Sequence, residues 1–131
     1  MSIRSFLVPL ILITVGAVAD AADPGDAAAG KAYFTQTCRQ CHSAEPGDGG
    51  GEIGPSLVGV YGRPAGVGDA RFDYTKALMA SKLTWTRETL DRFLTDPGTT
   101  VPGTTMALPI PAKQDRDNVI AYFQAVGGTA K

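Results

Sequence analysis

The chain has 131 residues, a formal net charge of −1 and 44% hydrophobic residues, which predicts one small domain. Acidic and basic residues nearly balance and no basic stripe is present, which argues against nucleic acid as a partner. Two cysteines and one histidine are too few for a structural zinc site, which needs four nitrogen or sulfur ligands.

The first 19 residues have the pattern of a secretory signal peptide. Arg4 precedes an apolar stretch over 5–18, and Ala17-Val18-Ala19 gives an A-x-A cleavage pattern. The apolar stretch is short for a bilayer span, and an uncleaved N-terminal anchor is the alternative. We expect cleavage between residues 19 and 22 and a periplasmic mature protein. A flexible segment over 20–25 then precedes one domain over 26–131.

The remaining chain predicts an all-α fold with long loops rich in glycine and proline. Asp26 and Thr86 are suited to cap helices, and Pro97 is suited to stop one. The sequence contains no convincing run of alternating apolar and polar residues that would predict a strand. The predicted helices cover residues 27–37, 74–81, 87–95 and 114–126, and the predicted loops cover 43–55, 61–73 and 99–113.

The stretch Cys38-Arg39-Gln40-Cys41-His42 is typical of a covalent attachment site for a c-type haem. Two thiols on one helical turn can each add to a vinyl group of the same porphyrin. The histidine behind them can then ligate the iron. A redox dithiol is the less favoured alternative because no βαβ pattern surrounds the motif, and a plain structural disulfide stays open.

Because His42 is the single histidine, the second axial position must be filled by a methionine or stay open. Met79 and Met106 remain after removal of the leader. Met79 lies in a predicted helix, where filling a gap in the core explains it. Met106 lies in a loop without apolar periodicity. We therefore expect a His42/Met106 pair, which is typical of electron transfer and raises the reduction potential.

With the attachment motif at 38–42 and Met106 identified, the chain resembles class I cytochrome c, and in particular bacterial relatives of mitochondrial cytochrome c. The resemblance is carried by CRQCH at 38–42, GPSLVGVYGR at 54–63, FDYTKAL at 72–78, LTW at 83–85 and PGTTM at 102–106. It implies a cytochrome c fold of three to five helices wrapped around one haem c, which is bound covalently through Cys38 and Cys41.

The resemblance also implies roles for residues outside the attachment motif. The Pro55 carbonyl would orient His42 by accepting the other ring N–H. The first and last helices would cross where Gly30 and Phe34 meet Val119 and Tyr122. The residues expected on the side of the haem propionates are Arg63, Tyr74, Trp85 and Thr104.

Two departures from the family pattern are expected to matter. Phe93 and Leu78 stand where the mitochondrial type has a tyrosine and an asparagine, so we expect a drier pocket and a weaker hydrogen bond to the Met106 sulfur. Threonine stands at 37 and 105, where the family often carries lysines around the exposed haem edge. We therefore expect a neutral, partly apolar docking face and weak electrostatic steering of partners.

The sequence thus predicts a soluble periplasmic one-electron carrier, with iron that alternates between Fe(II) and Fe(III), and no catalytic residues. Its expected partners are redox proteins of a respiratory chain: a donor dehydrogenase or cytochrome complex, and an acceptor oxidase or reductase. We expect a monomer without stable membrane insertion after cleavage. The alternatives are a dedicated haem c subunit or electron acceptor of a periplasmic dehydrogenase complex, and an enzyme or gas-binding haem protein with an open sixth position.

Overall fold

The computed structural model describes residues 24–48 and 53–127, so the expected leader over 1–19 lies outside the described residues. The elements are α1 (Ala27–Tyr33) with a π-helical turn (Phe34–Cys38), α2 (Lys76–Ala80), α3 (Arg87–Thr95), α4 (Pro97–Thr100) and α5 (Lys113–Gly127). Within these ranges, extended pairing is limited to an isolated antiparallel bridge between Pro64 and Thr84, which confirms the all-α prediction. No described helix has the length and apolar character needed to cross a bilayer.

The first helix begins as predicted but changes its winding before the attachment motif. Asp26 caps α1 because its side chain accepts two backbone N–H groups of the first turn. The chain is helical over the predicted 27–37, but its last turn is π-helical: the Arg39 N–H donates to the Phe34 carbonyl at 2.9 Å, an i→i+5 bond. Such π-turns are frequent at functional sites. Here the turn ends at Cys38, the first cysteine of the motif.

The helices α1 and α5 cross with their backbones in close approach. A Cβ placed on Gly30 would lie 1.9 Å from the Asn118 carbonyl oxygen, so only glycine lets the two backbones approach this closely. Beside it, the Phe34 ring packs on Tyr122 and Phe123, with ring centroids 5.6 and 5.9 Å apart. The contact of Gly30 and Phe34 with α5 that the resemblance implied is therefore present.

Pro24 and Gly25, at the end of the segment expected to be flexible, pack against the rest of the fold. The Arg87 guanidinium donates to the Pro24 carbonyl. Gly25 has a φ of +83°, and a Cβ there would lie 2.2 Å from the Asp117 carbonyl oxygen. These contacts hold the chain to α3 and α5 directly before α1 begins.

The ends of the middle helices follow their capping residues. Thr75 caps α2, which is therefore shorter than the predicted 74–81. Thr86 caps α3 as predicted, in a capping box with Thr89. Pro97 ends α3 but also begins α4, which lies partly inside the predicted loop over 99–113. A proline is tolerated in a first helical turn, and Asp96 caps that turn by accepting the Thr99 N–H.

One buried guanidinium joins α3, α5 and the chain that follows Met106. Arg116 on α5 is 8% exposed, and its Nε donates to Asp91 Oδ1 on α3 at 2.7 Å. Its Nη1 donates to the carbonyls of Ile110 and Pro111 at 2.9 and 2.8 Å. Arg116 therefore fixes the end of the long loop that carries Met106.

Replacing Arg116 with alanine is expected to lower the free energy of unfolding by about 2–4 kcal/mol. The change leaves the Asp91 carboxylate and two carbonyls without their donor. Guanidinium chloride unfolding of the holoprotein measures the loss. The control is Arg92→Ala, which removes an exposed arginine from α3 and should cost less than about 1 kcal/mol. Equal losses in the two variants would show that the buried contacts of Arg116 do not stabilise the fold.

Candidate functional site

A largely apolar cavity of about 270 Å³ gathers residues from every motif of the sequence analysis. Its apolar walls come from the loop after the attachment motif, α2, α3 and α5, through Leu57, Val60, Leu78, Leu90, Phe93, Leu94, Val119 and Phe123. The site residues predicted from sequence also line it: Cys38, Cys41, His42, Pro55, Arg63, Tyr74, Trp85, Thr104 and Met106. The fold thus brings together residues that are far apart in the chain.

His42 is held in one orientation by its neighbours. Its Nδ1 lies 2.7 Å from the Pro55 carbonyl oxygen, so Nδ1 carries the proton and the lone pair on Nε2 is available for ligation. Burial lowers the pKa of His42, and the hydrogen bond to Pro55 opposes this effect in part. The imidazole is therefore neutral at pH 7, which is the form that binds a metal ion.

Gly54 is a positioning residue that the sequence analysis missed. A Cβ on Gly54 would lie 2.3 Å from the Cε1 atom of His42 and would push against the flat imidazole ring. The Gly54 N–H also donates to the Cys41 carbonyl at 2.8 Å, which ties this loop to the attachment motif. The signal available in the sequence was a glycine directly before Pro55.

Cys38 and Cys41 are half-buried free thiols in the cavity wall, not a disulfide. Burial raises the pKa of the Cys38 thiol to about 11, and the neighbouring Cys41 contributes to the same shift. A redox dithiol needs a lowered pKa to supply a thiolate at neutral pH. The environment of these two thiols does not favour the redox-dithiol alternative.

Arg63 carries a charged donor that lacks an acceptor. Its Nη1 and Nη2 donate to the carbonyls of Val58 and Ser56 at 2.8 and 3.2 Å. Its Nε is buried and has no hydrogen-bond partner among the described residues. Gly68, with a φ of +107°, makes room for the guanidinium, because a Cβ there would lie 2.3 Å from its central carbon. A buried, unpaired donor on a cavity wall calls for an acceptor on the bound group.

Tyr74 is already engaged within its own loop. Its hydroxyl donates to the Val67 carbonyl at 3.0 Å and accepts the Asp69 N–H at 3.2 Å. A phenol has a single proton to donate. Tyr74 can therefore donate to a bound carboxylate only after it releases the carbonyl of Val67.

Phe93 and Leu78 contribute only carbon atoms to the cavity wall that also contains Met106. The Phe93 ring packs on Trp85 with centroids 5.0 Å apart. The side-chain oxygen of Thr104 accepts the Met106 N–H at 3.4 Å, which is a long hydrogen bond. Neither position 78 nor position 93 supplies a donor to the methionine sulfur.

Met79 does not have the core position expected from the sequence. It is 51% exposed, and its backbone packs over Gly66 on a surface turn of the short α2. It does not line the cavity, whereas Met106 does. Of the two methionines in the described ranges, only Met106 is placed to contact a group bound there.

The donor set fits a haem c. A haem c with histidine and methionine ligation uses an apolar cavity for the ring, two thiols for its vinyl groups, a nitrogen and a sulfur ligand for the iron, and partners for its carboxylates. The cavity offers apolar walls, Cys38 and Cys41, His42 and Met106, and the unpaired Nε of Arg63.

Comparison with known proteins agrees with this chemistry. A family model described as cytochrome c matches residues 27–127. Cytochrome c of Tetrahymena pyriformis is 42% identical over 103 residues, which cover 78% of this chain and 90% of that protein. Cytochrome c2 of Rhodoblastus acidophilus is 43% identical over 100 residues, which cover 76% and 91%. The structure of cytochrome cH from Methylobacterium extorquens superimposes with a TM-score of 0.69 at 40% identity, covering 77% of this chain and 99% of that one. The chain therefore belongs to the cytochrome c family and is an electron-transfer protein, not an enzyme, with one covalently attached haem c.

Proposed function

We propose that the chain is a one-electron carrier that is exported to the periplasm and works between redox proteins of a respiratory chain. We assign His42 and Met106 as the residues that would ligate the haem iron, and Cys38 and Cys41 as the residues that would bind the haem covalently. The observation that carries this assignment is that all four side chains line one apolar cavity.

The haem supplies an iron that gains and loses one electron. His42 is presented as a neutral imidazole, because Pro55 holds the Nδ1 proton and Gly54 leaves room for the ring. Met106 supplies a soft thioether, which favours the reduced state and so raises the potential. Both side chains belong to the wall of one folded cavity, which would limit rearrangement when the charge of the site changes.

Arg63, Trp85, Tyr74 and Thr104 are assigned to the carboxylate side of the cofactor. The strongest support is the buried Nε of Arg63, which has no hydrogen-bond acceptor among the described residues. Its positive charge would offset a carboxylate that is withdrawn from water. Tyr74 would join this group by exchanging the Val67 carbonyl for a carboxylate oxygen.

Two measurements on protein from native cells test the proposal. The mature protein should be released with the periplasmic fraction, with an N-terminus that begins between residues 20 and 23. Its ferric form should show the weak far-red band of a sulfur-to-iron bond, with a low-spin spectrum. A high-spin ferric spectrum would refute the proposed ligation. A protein that keeps residues 1–19 and is found in the membrane fraction would refute export as a free carrier.

The Phe93→Tyr substitution is expected to raise the reduction potential by about 20–60 mV. A hydroxyl at this position is expected to donate a hydrogen bond to the Met106 sulfur. That hydrogen bond withdraws electron density from the thioether and should stabilise the reduced state by ~0.5–1.5 kcal/mol. Protein-film voltammetry measures the shift. Phe93→Leu is the control, since it changes the shape of the wall without adding a donor. A lower potential in the tyrosine variant would contradict this account.

A further inference from the structure

Large apolar side chains remain exposed where the cavity meets the surface. Ile53, Leu108 and Val67 line the cavity, yet they are 76%, 53% and 48% exposed. The exposed Thr105 and Ala107 lie on either side of Met106 in the same wall. We call this surface the apolar rim and define it by Thr37, Ile53, Val67, Thr105, Ala107 and Leu108. Exposed apolar groups that are contiguous with a functional cavity are typical of an interaction surface.

The apolar rim carries no charge among the described residues. Among the described residues that line the cavity, Arg63 is the only lysine, arginine, aspartate or glutamate. Its guanidinium donates hydrogen bonds to the backbone carbonyls of Val58 and Ser56. The ion pairs of the fold lie off the cavity, as between Lys31 and Glu45 or between Lys113 and Asp117. Among the described residues that line this surface, a partner therefore meets no charged side chain other than the guanidinium of Arg63.

We propose that the apolar rim docks a redox protein whose own cofactor edge is surrounded by uncharged, apolar surface. This partner class follows from charge: a charged patch placed against the rim would lose its hydration and find no opposite charge to pair with. The inference rests on the proposed function, because the rim residues line the same cavity that is assigned to the haem. Redox encounters use small interfaces, and a few exposed apolar side chains are enough for one.

A second copy of this chain is a defined probe for that partner class, because it presents the same rim. In electron self-exchange, one electron passes from a reduced copy to an oxidised copy, and the two copies exchange oxidation states. No bond forms or breaks and no other reactant is needed. The rate therefore reports how readily two such rims approach each other.

The test is the self-exchange rate of the holoprotein, measured by NMR line broadening at ionic strengths of about 10 mM and about 500 mM. The wild-type rate should change by less than about threefold, since no rim charges are there to be screened. Leu108→Lys places like charges face to face and should slow exchange about fivefold at low salt, with most of the loss recovered at high salt. Leu108→Ser removes apolar contact without adding charge and should slow exchange equally at both salt concentrations.

Met79→Lys is the matched control. Met79 is 51% exposed, close to the value for Leu108, but it does not line the cavity. The same change of charge at Met79 should leave the rate within about twofold of the wild type. If Met79→Lys slows exchange as much as Leu108→Lys, or if the wild-type rate changes tenfold or more with salt, the docking proposal is wrong.

Lipid binding and the ligation of the iron are measured separately from the exchange rate. Vesicles of zwitterionic phosphatidylcholine should not bind the holoprotein, and binding that Leu108→Lys abolishes would overturn the proposal in favour of a lipid surface. The far-red band of each variant reports the proposed function independently. A wild type without that band would contradict the His42/Met106 assignment, whereas an intact band with no effect of Leu108→Lys on exchange would contradict only the docking face.

Discussion

Replacing Met106 with alanine should abolish the far-red band of the ferric holoprotein and lower its reduction potential by about 0.1 V or more. The axial ligand is the strongest determinant of potential in haem proteins, which spans ~0.8 V across ligand types. With the proposed His42/Met106 ligation, loss of the thioether removes the ligand that favours the reduced state. Alanine at this position has no side-chain atom that can ligate a metal ion.

The optical spectrum and potentiometric titration of the variant measure both effects. Met79→Ala is the control, since it removes the other methionine of the described residues from a surface position outside the cavity. The control should keep the band and its potential within about 20 mV, the lower end of the shift expected from a single hydrogen bond. A band that survives in Met106→Ala and disappears in Met79→Ala would reverse the assignment.

The same variant separates the electron carrier from the alternative of an open site. Small ligands such as cyanide or imidazole should bind the ferric Met106→Ala protein readily, because a coordination position is no longer occupied. The wild type should bind them slowly, since Met106 must first be displaced. Fast binding to the wild type would favour a gas-binding or enzymatic function for the cavity.

Much of the site was predictable because its chemistry depends on short-range spacing. Cys38, Cys41 and His42 lie within five consecutive residues, so one turn of chain presents them together. The single histidine restricted the second ligand to a methionine or an open position before any fold was known. The caps of α1 and α3 were also predictable, since Asp26 and Thr86 act on N–H groups only a few residues away.

The features that were missed depend on contacts between distant parts of the chain. The π-helical turn before Cys38 needs Phe34 to pack into α5, and no local propensity encodes that contact. Gly54 and Gly68 make room for side chains that only the fold brings next to them. A helical position alone suggests a core role for Met79, but α2 is a short helix on the surface, and so few residues do not define a buried face.

Gly30→Ala is expected to lower the free energy of unfolding by about 2 kcal/mol or more. The added Cβ would lie 1.9 Å from the Asn118 carbonyl oxygen and 2.5 Å from its carbon, and both are backbone atoms that no side-chain rotation can remove. The helices α1 and α5 must therefore move apart, which opens the packing of Phe34 against Tyr122. The helix propensity of alanine returns only ~1 kcal/mol, and a clash with fixed backbone atoms places the overpacking cost at ~3 kcal/mol or more, the upper end of its usual range.

Guanidinium chloride unfolding of the holoprotein measures this loss, and Gly98→Ala is the matched control. Gly98 also lies in a helix, α4, but the nearest atom to its added Cβ is a side-chain oxygen of Asp96 at 3.7 Å, an ordinary contact. That variant should be neutral or slightly more stable, because alanine reduces the freedom of the unfolded chain. Since Cys38 ends the turn that continues α1, the Gly30 variant should also form holoprotein in lower yield. If Gly30→Ala unfolds at the same denaturant concentration as Gly98→Ala, the close backbone approach of α1 to α5 does not hold the fold together.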